Sequence, residues 1–394
     1  MATDMGVYID VFHHSLLKSG EELCGDIVEV VRLLDSTIIV LSDGLGSGVK
    51  ANILATLTSK IAATMLKEGA DIFETVDTIV KTLPVCKVRD LAYSTFTLIK
   101  IEDSGRVYMA EYDNPPFFLI RNGQHCEVPK KDIIIHGKTV SECTFNLEEG
   151  DVFTVVSDGV THAGLGDFLS LGWKWEGVKE YLQKIYSTDK TARDMAKDLL
   201  GVCMVFDGGN PGDDTTALII KADREKHVDL FSGPPQNPGD DRHAVSRFMS
   251  GRGKKIICGG TAANIASREL KRALNVNMDF SDKNVPPTAS MEGIDLITEG
   301  VLTISIALEK IKEYSKPMAT LIDDEMEFGK DGASLLAKML ICECSHLNLW
   351  VGKAINPAHQ NPDFPLDLSI KLNKLLELKE LMEGLGKKVT LNYV

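Results

Sequence analysis

Two aspartate–glycine pairs, each one serine beyond an apolar run, constrain this chain more than any other feature. Asp43-Gly44 follows the run 37–41, and Asp158-Gly159 follows the run 152–156. Short apolar runs rich in β-branched residues predict buried strands. A single Asp-Gly pair indicates an ordinary turn, because aspartate bonds its own backbone and glycine accepts positive φ. The same pattern at the exit of two strands instead favours carboxylates that serve one site.

Two further acidic positions beside glycine or turn residues extend the pattern, Gly25-Asp26 and Asp213-Asp214. Several carboxylates within a few ångströms of each other cannot all stay ionised unless a cation neutralises them. Hard oxygen ligands favour magnesium, manganese or calcium over zinc. Two such ions about 3.5–4 Å apart can clamp a phosphoryl group and lower the pKa of a shared water. The four acidic clusters therefore predict a pair of divalent cations and the hydrolysis of phosphate esters.

The four segments, taken in chain order, resemble the motifs of the metal-dependent protein serine/threonine phosphatases, the PPM family. They are Cys24-Gly25-Asp26 and the stretches 42–48, 156–161 and 212–216. The glycine-rich second motif and the Ser-Asp-Gly-Val-Thr third motif are most similar to the bacterial branch typified by stage II sporulation protein E (SpoIIE). Four motifs in the family's order are more specific than any one of them. The resemblance covers about residues 5–223.

This resemblance implies a fold, an activity and a set of ligands. The implied fold class is α+β, a PPM-type α-β-β-α sandwich of two antiparallel sheets flanked by helices. The implied activity is hydrolysis of phosphoserine or phosphothreonine in a phosphoprotein substrate, by a water that bridges two divalent cations, Mn²⁺ or Mg²⁺. Asp43 would bridge both ions and the Gly44 carbonyl would bind one of them. Asp158 and Asp213 would complete the other, and Asp26 would lie beside the second ion, directly or through water.

Two departures from the family pattern concern the substrate. Leu45 stands where many animal-type relatives carry a histidine that protonates the leaving alkoxide, and no clear counterpart of the phosphate-binding arginine precedes Asp26. His13, His14 and His162 are candidates for the acid, although a surface or supporting position is the more common role for such histidines. In the bacterial branch a moving helix is thought to switch activity, so residues 47–67 are a candidate regulatory helix.

Two alternatives to a protein phosphatase follow from the same motifs. One is a regulatory or scaffold protein that kept the fold but lost turnover, which the missing arginine and histidine favour and the complete acidic set opposes. The other is a phosphomonoesterase that acts on a small metabolite. Manganese-dependent turnover separates the first from the proposed enzyme, and a panel of substrates separates the second.

The amino-acid composition limits which partners the protein can bind and in which compartment it can reside. A formal net charge of −14 over 394 residues argues against a nucleic-acid partner, because backbone phosphates would be repelled. No apolar run is long enough to span a membrane, and the first residues lack a secretory pattern. Eight cysteines without regular spacing suit a reducing compartment. We therefore expect a cytoplasmic protein without a membrane partner.

The length predicts two domains. The first, residues 1–223, contains seven apolar runs typical of strands and three segments with helical spacing of apolar residues. The predicted strands are 27–34, 37–41, 94–101, 107–112, 117–121, 152–157 and 217–221, and the predicted helices are 47–67, 71–82 and 191–205. A stretch dense in proline and glycine, residues 224–244, predicts an interdomain linker.

The second domain, residues 245–394, is predicted to be a smaller α/β domain with a regulatory or ligand-binding role. A strand at 254–258 leads into the turn Gly259-Gly260-Thr261 and a helix. This turn is a candidate anion-binding loop for a phosphate or a phosphoprotein, and a structural turn that lets strand and helix pack closely is the more common alternative. Further elements are predicted at 294–298, 302–314, 332–340, 366–383 and 388–393.

Two features of this second domain leave alternatives open. Residues 342–346, Cys-Glu-Cys-Ser-His, would alternate on a strand as buried cysteines or would bind a soft metal. The predicted helix 366–383 would contact the core or, as the less common alternative, a dimer or partner surface. The sequence leaves the oligomeric state open.

Overall fold

The computed structural model describes residues 7–82, 85–86, 91–92, 94–166, 168–276, 288–316, 328–353 and 370–394. It divides into two compact units, and the boundary between them in the sequence falls between Arg224 and Glu225. Within the described ranges, every helix is too short or too polar to cross a lipid bilayer.

Two antiparallel sheets form the centre of the first unit. Its strands are β1 (Val7–Leu16), β2 (Asp26–Arg32), β3 (Ser36–Gly44), β4 (Val85–Cys86), β5 (Leu91–Ala92), β6 (Ser94–Glu102), β7 (Arg106–Tyr112), β8 (Phe118–Arg121), β9 (Gln124–His125), β10 (Lys131–Ile135), β11 (Lys138–Asn146), β12 (Val152–Val156) and β13 (Thr215–Arg224). Sheet 1 has the strand order β10-β11-β7-β6-β3-β2, and sheet 2 has the order β1-β13-β12-β8-β9. The short strands β4 and β5 pair with each other.

Helices cover the outer faces of both sheets. They are α1 (Gly48–Lys67), α2 (Ile72–Thr82), α3 (Asp158–His162), α4 (Lys174–Ile185) and α5 (Ala192–Phe206). Helices α1 and α2 pack on sheet 1, whereas α5 packs on β1 and β13 and α4 packs on β8 and β9 of sheet 2. The layers therefore run helix, sheet, sheet, helix, and the predicted α-β-β-α sandwich is confirmed.

Strand β3 shows why the two sheets form. Its apolar run is buried on both faces, because successive side chains of a strand point to opposite sides. Ile38 and Val40 pack under helices α1 and α2, and Ile39 and Leu41 pack between the two sheets. Full burial of each such side chain contributes about 1.5–3 kcal/mol. The continuous apolar run of β3 thus joins both cores of the first unit.

Strand β1 is the longest strand of the first unit that the sequence did not predict. It pairs with β13 along its whole length. Asp10, His13 and His14 interrupt its apolar pattern, so periodicity alone gave no strand signal there. Strands β10 and β11 and helices α3 and α4 were also missed.

The second unit is an α/β fold around one seven-stranded sheet. Its strands are β14 (His227–Ser232), β15 (Lys254–Cys258), β16 (Asn275–Val276), β17 (Ala289–Met291), β18 (Ile294–Thr298), β19 (His346–Val351) and β20 (Lys388–Tyr393). The strand order is β16-β17-β18-β15-β14-β19-β20. The five strands from β18 to β20 in this order are parallel to one another. Such a sheet needs helices on both faces.

Five helices in the described part of this unit supply the cover, together with one 3₁₀ turn at Pro238–Asp240. They are α6 (Asp241–Ser250), α7 (Gly260–Leu270), α8 (Val301–Ser315), α9 (Gly332–Cys342) and α10 (Ile370–Gly384). Helices α6 and α7 share one core with Phe231 and Ile257 of the sheet. Helices α8, α9 and α10 share the other core with Leu230 and Ile256. Residues 366–369 of the predicted last helix lie outside the described residues.

The segment 224–244 differs from the linker that we predicted. It contains β14, which lies inside the parallel sheet between β15 and β19, and the start of helix α6. Leu230 and Phe231 of this strand are fully buried. The density of proline and glycine just after the strand, at 233–239, dominated the sequence interpretation and hid a six-residue strand in front of it.

The segment 342–346 also differs from a continuous strand. Cys342 ends helix α9, and His346 begins β19. Cys344 is buried and Cys342 is half-buried. Neither cysteine belongs to a group of metal-ligand type in the described residues.

Candidate metal centre

Asp26 and Asp43 enter the site from neighbouring strands of sheet 1. Asp26 is the first residue of β2, Asp43 is the last but one of β3, and the two are paired across the antiparallel ladder. The Thr216 hydroxyl donates to Asp26 Oδ2 at 2.6 Å. Since Thr216 lies in β13 of sheet 2, this bond joins the two sheets at the site.

Asp158 and Asp213 come from sheet 2. Asp158 follows β12 as the first residue of α3, and Asp213 lies two residues before β13. Strands β12 and β13 are antiparallel neighbours, with Val156 opposite Ala217, so the end of one strand meets the start of the other. The side chains of Asp158 and Asp213 are 46 % and 44 % exposed. These two carboxylates therefore form the solvent side of the site.

The charges of these aspartates act on one another. Burial first, and then the charges of Asp26, Asp158 and Asp213, raise the pKa of Asp43 to about 9. The pKa of Asp158 is also raised, first by burial and then by Asp213. Four aspartates that are remote in sequence are therefore close enough to repel one another. No three of them bring carboxylate oxygens all within 4.8 Å in the described structure.

Asp26 is the most buried of these predicted ligands, with 3 % exposure. Its pKa is raised to about 7, mainly by burial, although the hydrogen bond from Thr216 favours the ionised form and opposes that rise. The other carboxylate oxygen, Oδ1, is buried and has no hydrogen-bond partner among the described residues. Buried polar atoms are rarely left without a partner. An unpaired carboxylate oxygen among other carboxylates fits a site for a hard cation.

Glycines allow the chain to close around these residues. A Cβ added to Gly159 would lie 2.2 Å from the carbonyl oxygen of Asp214, closer than any side chain tolerates. Asp214 is itself buried and accepts hydrogen bonds from the amides of Gly25 at 2.8 Å and Lys18 at 3.0 Å. The two neighbouring aspartates, Asp213 and Asp214, thus have different roles. Asp213 faces the site, and Asp214 fixes the loop that leads to Asp26.

Lys18 is a residue of the site that sequence reasoning missed. Its ammonium nitrogen lies 3.6 Å from Asp213 Oδ1, and its side chain is 35 % exposed. It follows β1, the strand without a sequence signal, so no pattern pointed to it. A cation at the solvent side of an acidic site can bind an anionic substrate.

The three candidate histidines separate in the structure. His162 ends α3, and its Nδ1 lies 3.7 Å from Asp158 Oδ2. His13 and His14 instead lie within β1, opposite Leu218 and Ala217. Of the three, His162 is the one beside a predicted metal ligand.

The candidate anion-binding turn lies in the second unit, between β15 and α7. Gly259 adopts φ +124°, a conformation that favours glycine. Its amide donates to the Thr298 carbonyl at 3.0 Å, which supports the structural role of the turn. No acidic residue lies in the first turn of α7. Anion binding at Gly259, Gly260 and Thr261 stays a prediction.

The α-β-β-α sandwich, with aspartates from both sheets at one end, is the phosphatase fold of the PPM class. Residues 35–223 match the family model of stage II sporulation protein E, SpoIIE. This match lies within the first unit, and the predicted resemblance is confirmed. A search among curated proteins found no match.

Solved structures that are similar to this chain include the following three. The phosphatase domain of the cell fate determinant SpoIIE from Bacillus subtilis, with a fragment of its regulatory domain, is 21 % identical over 56 % of this chain and 64 % of that chain, with a TM-score of 0.49. The chain thus spans less than two thirds of that structure. The RsbU and RsbW domains of a protein from Mycobacterium tuberculosis are 15 % identical, over 62 % of this chain and 69 % of that chain, with a TM-score of 0.48. RsbX in complex with magnesium is 19 % identical, over 55 % of this chain and 96 % of that chain, with a TM-score of 0.40.

Proposed function

We propose that the first unit is a metal-dependent phosphatase that hydrolyses phosphoserine or phosphothreonine in a protein substrate. The observation that carries this proposal is that Asp26, Asp43, Asp158 and Asp213, from four separate segments, converge so closely that the other three raise the pKa of Asp43. Clustered carboxylates destabilise a folded protein, so their presence indicates a function that requires them. The SpoIIE-family match of residues 35–223 supports the same activity.

The cations that fit this site are Mn²⁺ or Mg²⁺, because every predicted ligand is an oxygen. Asp43, the Gly44 carbonyl, Asp158 and Asp213 would hold two of them, with Asp26 beside the second. Bound divalent cations would neutralise the carboxylates, orient the phosphoryl group and acidify a water for attack on phosphorus. The unpaired Oδ1 of Asp26 supports its place in this ligand set.

Two residues of the chain complete the proposed site. Lys18 would bind a phosphate oxygen of the substrate, in place of the arginine that the family pattern leads one to expect. His162 would hold a proton near the leaving group, since Leu45 cannot. Each role is proposed from one distance. Lys18 Nζ lies 3.6 Å from Asp213 Oδ1, and His162 Nδ1 lies 3.7 Å from Asp158 Oδ2.

The test is hydrolysis of p-nitrophenyl phosphate by the full chain with added Mn²⁺. We expect turnover that falls by at least about 100-fold in Asp43→Asn and Asp158→Asn, because each cation contributes several kcal/mol to the transition state. Asp132→Asn is the matched control, since Asp132 is exposed in β10. A chain without Mn²⁺-dependent turnover would be a scaffold protein.

A second measurement identifies the substrate class. Phosphoserine and phosphothreonine peptides are compared with sugar and nucleotide phosphates at equal concentration. Preference for the peptides supports a protein substrate, and preference for a metabolite makes the protein a small-molecule phosphomonoesterase. We further propose that the second unit binds a regulatory ligand or partner. The seven cysteines whose side chains the structure describes are all free, which suits the reducing cytoplasm as the location of this activity.

A further inference from the structure

A second group of side chains with metal-ligand composition lies in the second unit. Glu225, His227 and His346 each offer one ligand atom, and these three atoms all lie within 4.8 Å of one another. Among the described residues, no other set of three histidine, cysteine or acidic side chains meets that spacing. The group shares no residue with the aspartate site of the first unit.

The parallel sheet places the two histidines side by side. His227 is the first residue of β14, His346 is the first residue of β19, and the two are paired in the register of these neighbouring strands. Their rings stack with centroids 4.7 Å apart and planes inclined by 29°. Residues paired in adjacent strands point to the same face of a sheet. The strand register, rather than a loop, therefore fixes the spacing of the two imidazoles.

The carboxylate of Glu225 contacts both rings. Its Oε2 lies 3.5 Å from His227 Nε2, and its Oε1 lies 3.5 Å from His346 Nε2. A tetrahedral zinc ion holds nitrogen and carboxylate oxygen ligands at about 2.0–2.2 Å, which puts the ligand atoms about 3.3 Å apart. The two contacts use different oxygens of the carboxylate, and each separation is similar to the ligand spacing of such an ion. Because the two rings are stacked, at least one imidazole has to turn about its Cβ–Cγ bond before both Nε2 atoms face one ion.

Ser345 supports the ligand form of His346. Its hydroxyl lies 2.9 Å from His346 Nδ1, accepts from the Lys226 amide at 2.7 Å and lies 3.1 Å from the Lys226 carbonyl. With Nδ1 protonated, the ring donates to the hydroxyl, the hydroxyl donates to that carbonyl, and Nε2 keeps its lone pair toward Glu225. Metal-binding histidines have a hydrogen-bond acceptor on the far nitrogen in this way.

The group is partly open to solvent. The side chains of His346, Glu225 and His227 are 19 %, 28 % and 37 % exposed. The backbone of His227 is held by Gly253, where an added Cβ would lie 2.2 Å from the His227 carbonyl oxygen. The ligands thus combine a fixed backbone with access from solvent, so an ion can enter and keep a position for water or another ligand.

We propose that Glu225, His227 and His346 bind one divalent transition metal ion, with Zn²⁺ as the best match. Two imidazoles and one carboxylate suit zinc, whereas magnesium and manganese prefer the all-oxygen set of the first unit. Three protein ligands leave the fourth tetrahedral position open. The site stands independently of the proposed phosphatase activity.

The test is a Zn²⁺ titration of the full chain, first freed of metal, in competition with a chromophoric zinc chelator. We expect one equivalent of Zn²⁺ to bind to the natural sequence. His227→Gln and His346→Gln should each weaken it by more than about 100-fold, because loss of a supporting hydrogen bond alone weakens metal sites by roughly 10–100-fold. Ser345→Ala should fall within that smaller range.

Two control variants separate this site from other zinc ligands. His243→Gln changes an exposed histidine of the same unit that lies outside the group, and this variant should still bind one equivalent of Zn²⁺. Asp43→Asn removes a predicted ligand of the aspartate site and should also still bind one equivalent of Zn²⁺. The proposal is overturned if one equivalent of Zn²⁺ still binds to both His227→Gln and His346→Gln. It is also overturned if Zn²⁺ binding is lost only in Asp43→Asn.

A measurement on the natural sequence covers the case in which the histidine variants do not fold. One equivalent of Cu²⁺ is added to the metal-free chain, and its electron paramagnetic resonance spectrum is recorded. Coupling to imidazole nitrogens is expected, because His227 and His346 would bind the ion. The aspartate site cannot give this coupling, since it offers only oxygen ligands. A spectrum without nitrogen coupling contradicts the site.

Discussion

Gly44, at the end of strand β3, lies directly against the backbone of Ala51 in helix α1. A Cβ added to Gly44 would be 2.1 Å from the Ala51 carbonyl oxygen, a distance that no pair of real atoms of this kind adopts. The strand that carries Asp43 and the helix that follows it are therefore in contact one residue beyond the aspartate. The position of α1 and the position of a predicted metal ligand cannot change independently.

Gly44→Ala is expected to lower both stability and metal affinity. Helix backbone cannot yield as a flexible side chain can, so we expect a loss of about 1–3 kcal/mol or more from overpacking, together with weaker Mn²⁺ binding. Chemical denaturation and calorimetric titration with Mn²⁺ measure the two effects. Gly201→Ala is the control, because no heavy atom lies within 4 Å of its added Cβ in the helix α5. This control should stabilise the chain by about 0.5–1 kcal/mol.

Stability in the presence of a chelator is expected to fall as the pH rises from about 5 to 9. The folded-state pKa values of Asp26 and Asp43 are raised to about 7 and about 9, above the value of about 3.9 in an unfolded chain. Their contribution is therefore complete below about pH 4 and is lost as the pH passes through 7 and then 9. Thermal unfolding at a series of pH values measures this loss, on the order of a few kcal/mol.

Asp43→Asn isolates the part of that pH dependence that belongs to the site. The variant should lose less stability than the natural sequence between pH 5 and 9, because the amide does not ionise. Excess Mn²⁺ should also flatten the slope for the natural sequence. If the natural sequence and Asp43→Asn instead show equal slopes, Asp43 is not held in the protonated form by its neighbours.

Lys18→Gln is expected to raise KM for a phosphorylated substrate by about tenfold with a smaller change in kcat. A hydrogen bond to a charged group contributes about 1.5–3 kcal/mol. Loss of an interaction that is equally strong in the bound substrate and in the transition state raises KM and leaves kcat nearly unchanged. Steady-state kinetics on a phosphopeptide give both constants. Lys67→Gln, at the exposed end of α1, is the control and should behave like the natural sequence. A loss confined to kcat would contradict a substrate-binding role for Lys18.

Asn52→Ala tests whether helix α1 communicates with the metal site. The Asn52 side chain donates to the Cys24 carbonyl at 2.8 Å, and Cys24 lies two residues before Asp26. Loss of this bond should weaken Mn²⁺ binding, within the roughly 10–100-fold range of supporting contacts, although no ligand is removed. Ile53→Ala is the control, since Ile53 is 52 % exposed on the same helix. Equal Mn²⁺ affinity in both variants would mean that α1 does not influence the site.

Local patterns in the sequence predicted much of the first unit. Strand β3 and helix α1 were found within a few residues of their ends, because apolar periodicity and the glycine-rich turn between them are local signals. Helix α5 was predicted from the helical spacing of its apolar residues. The structure adds a capping box at its start, in which Asp194 Oδ2 accepts from the Thr191 amide at 2.8 Å. Strand β14 was missed because the proline-rich turn beside it gave the stronger signal.

The sequence by itself determined the strand that carries Asp43, the strand that precedes Asp158, the acidic motifs, and the layered fold that they imply. Periodicity and turn chemistry act over a few residues, so they can be read along the chain. Only the tertiary structure decided that Lys18 lies 3.6 Å from Asp213 and that His227 stacks on His346. Such pairs depend on which strands become neighbours and in which register, and that is settled by the packing of the whole unit rather than by any local pattern.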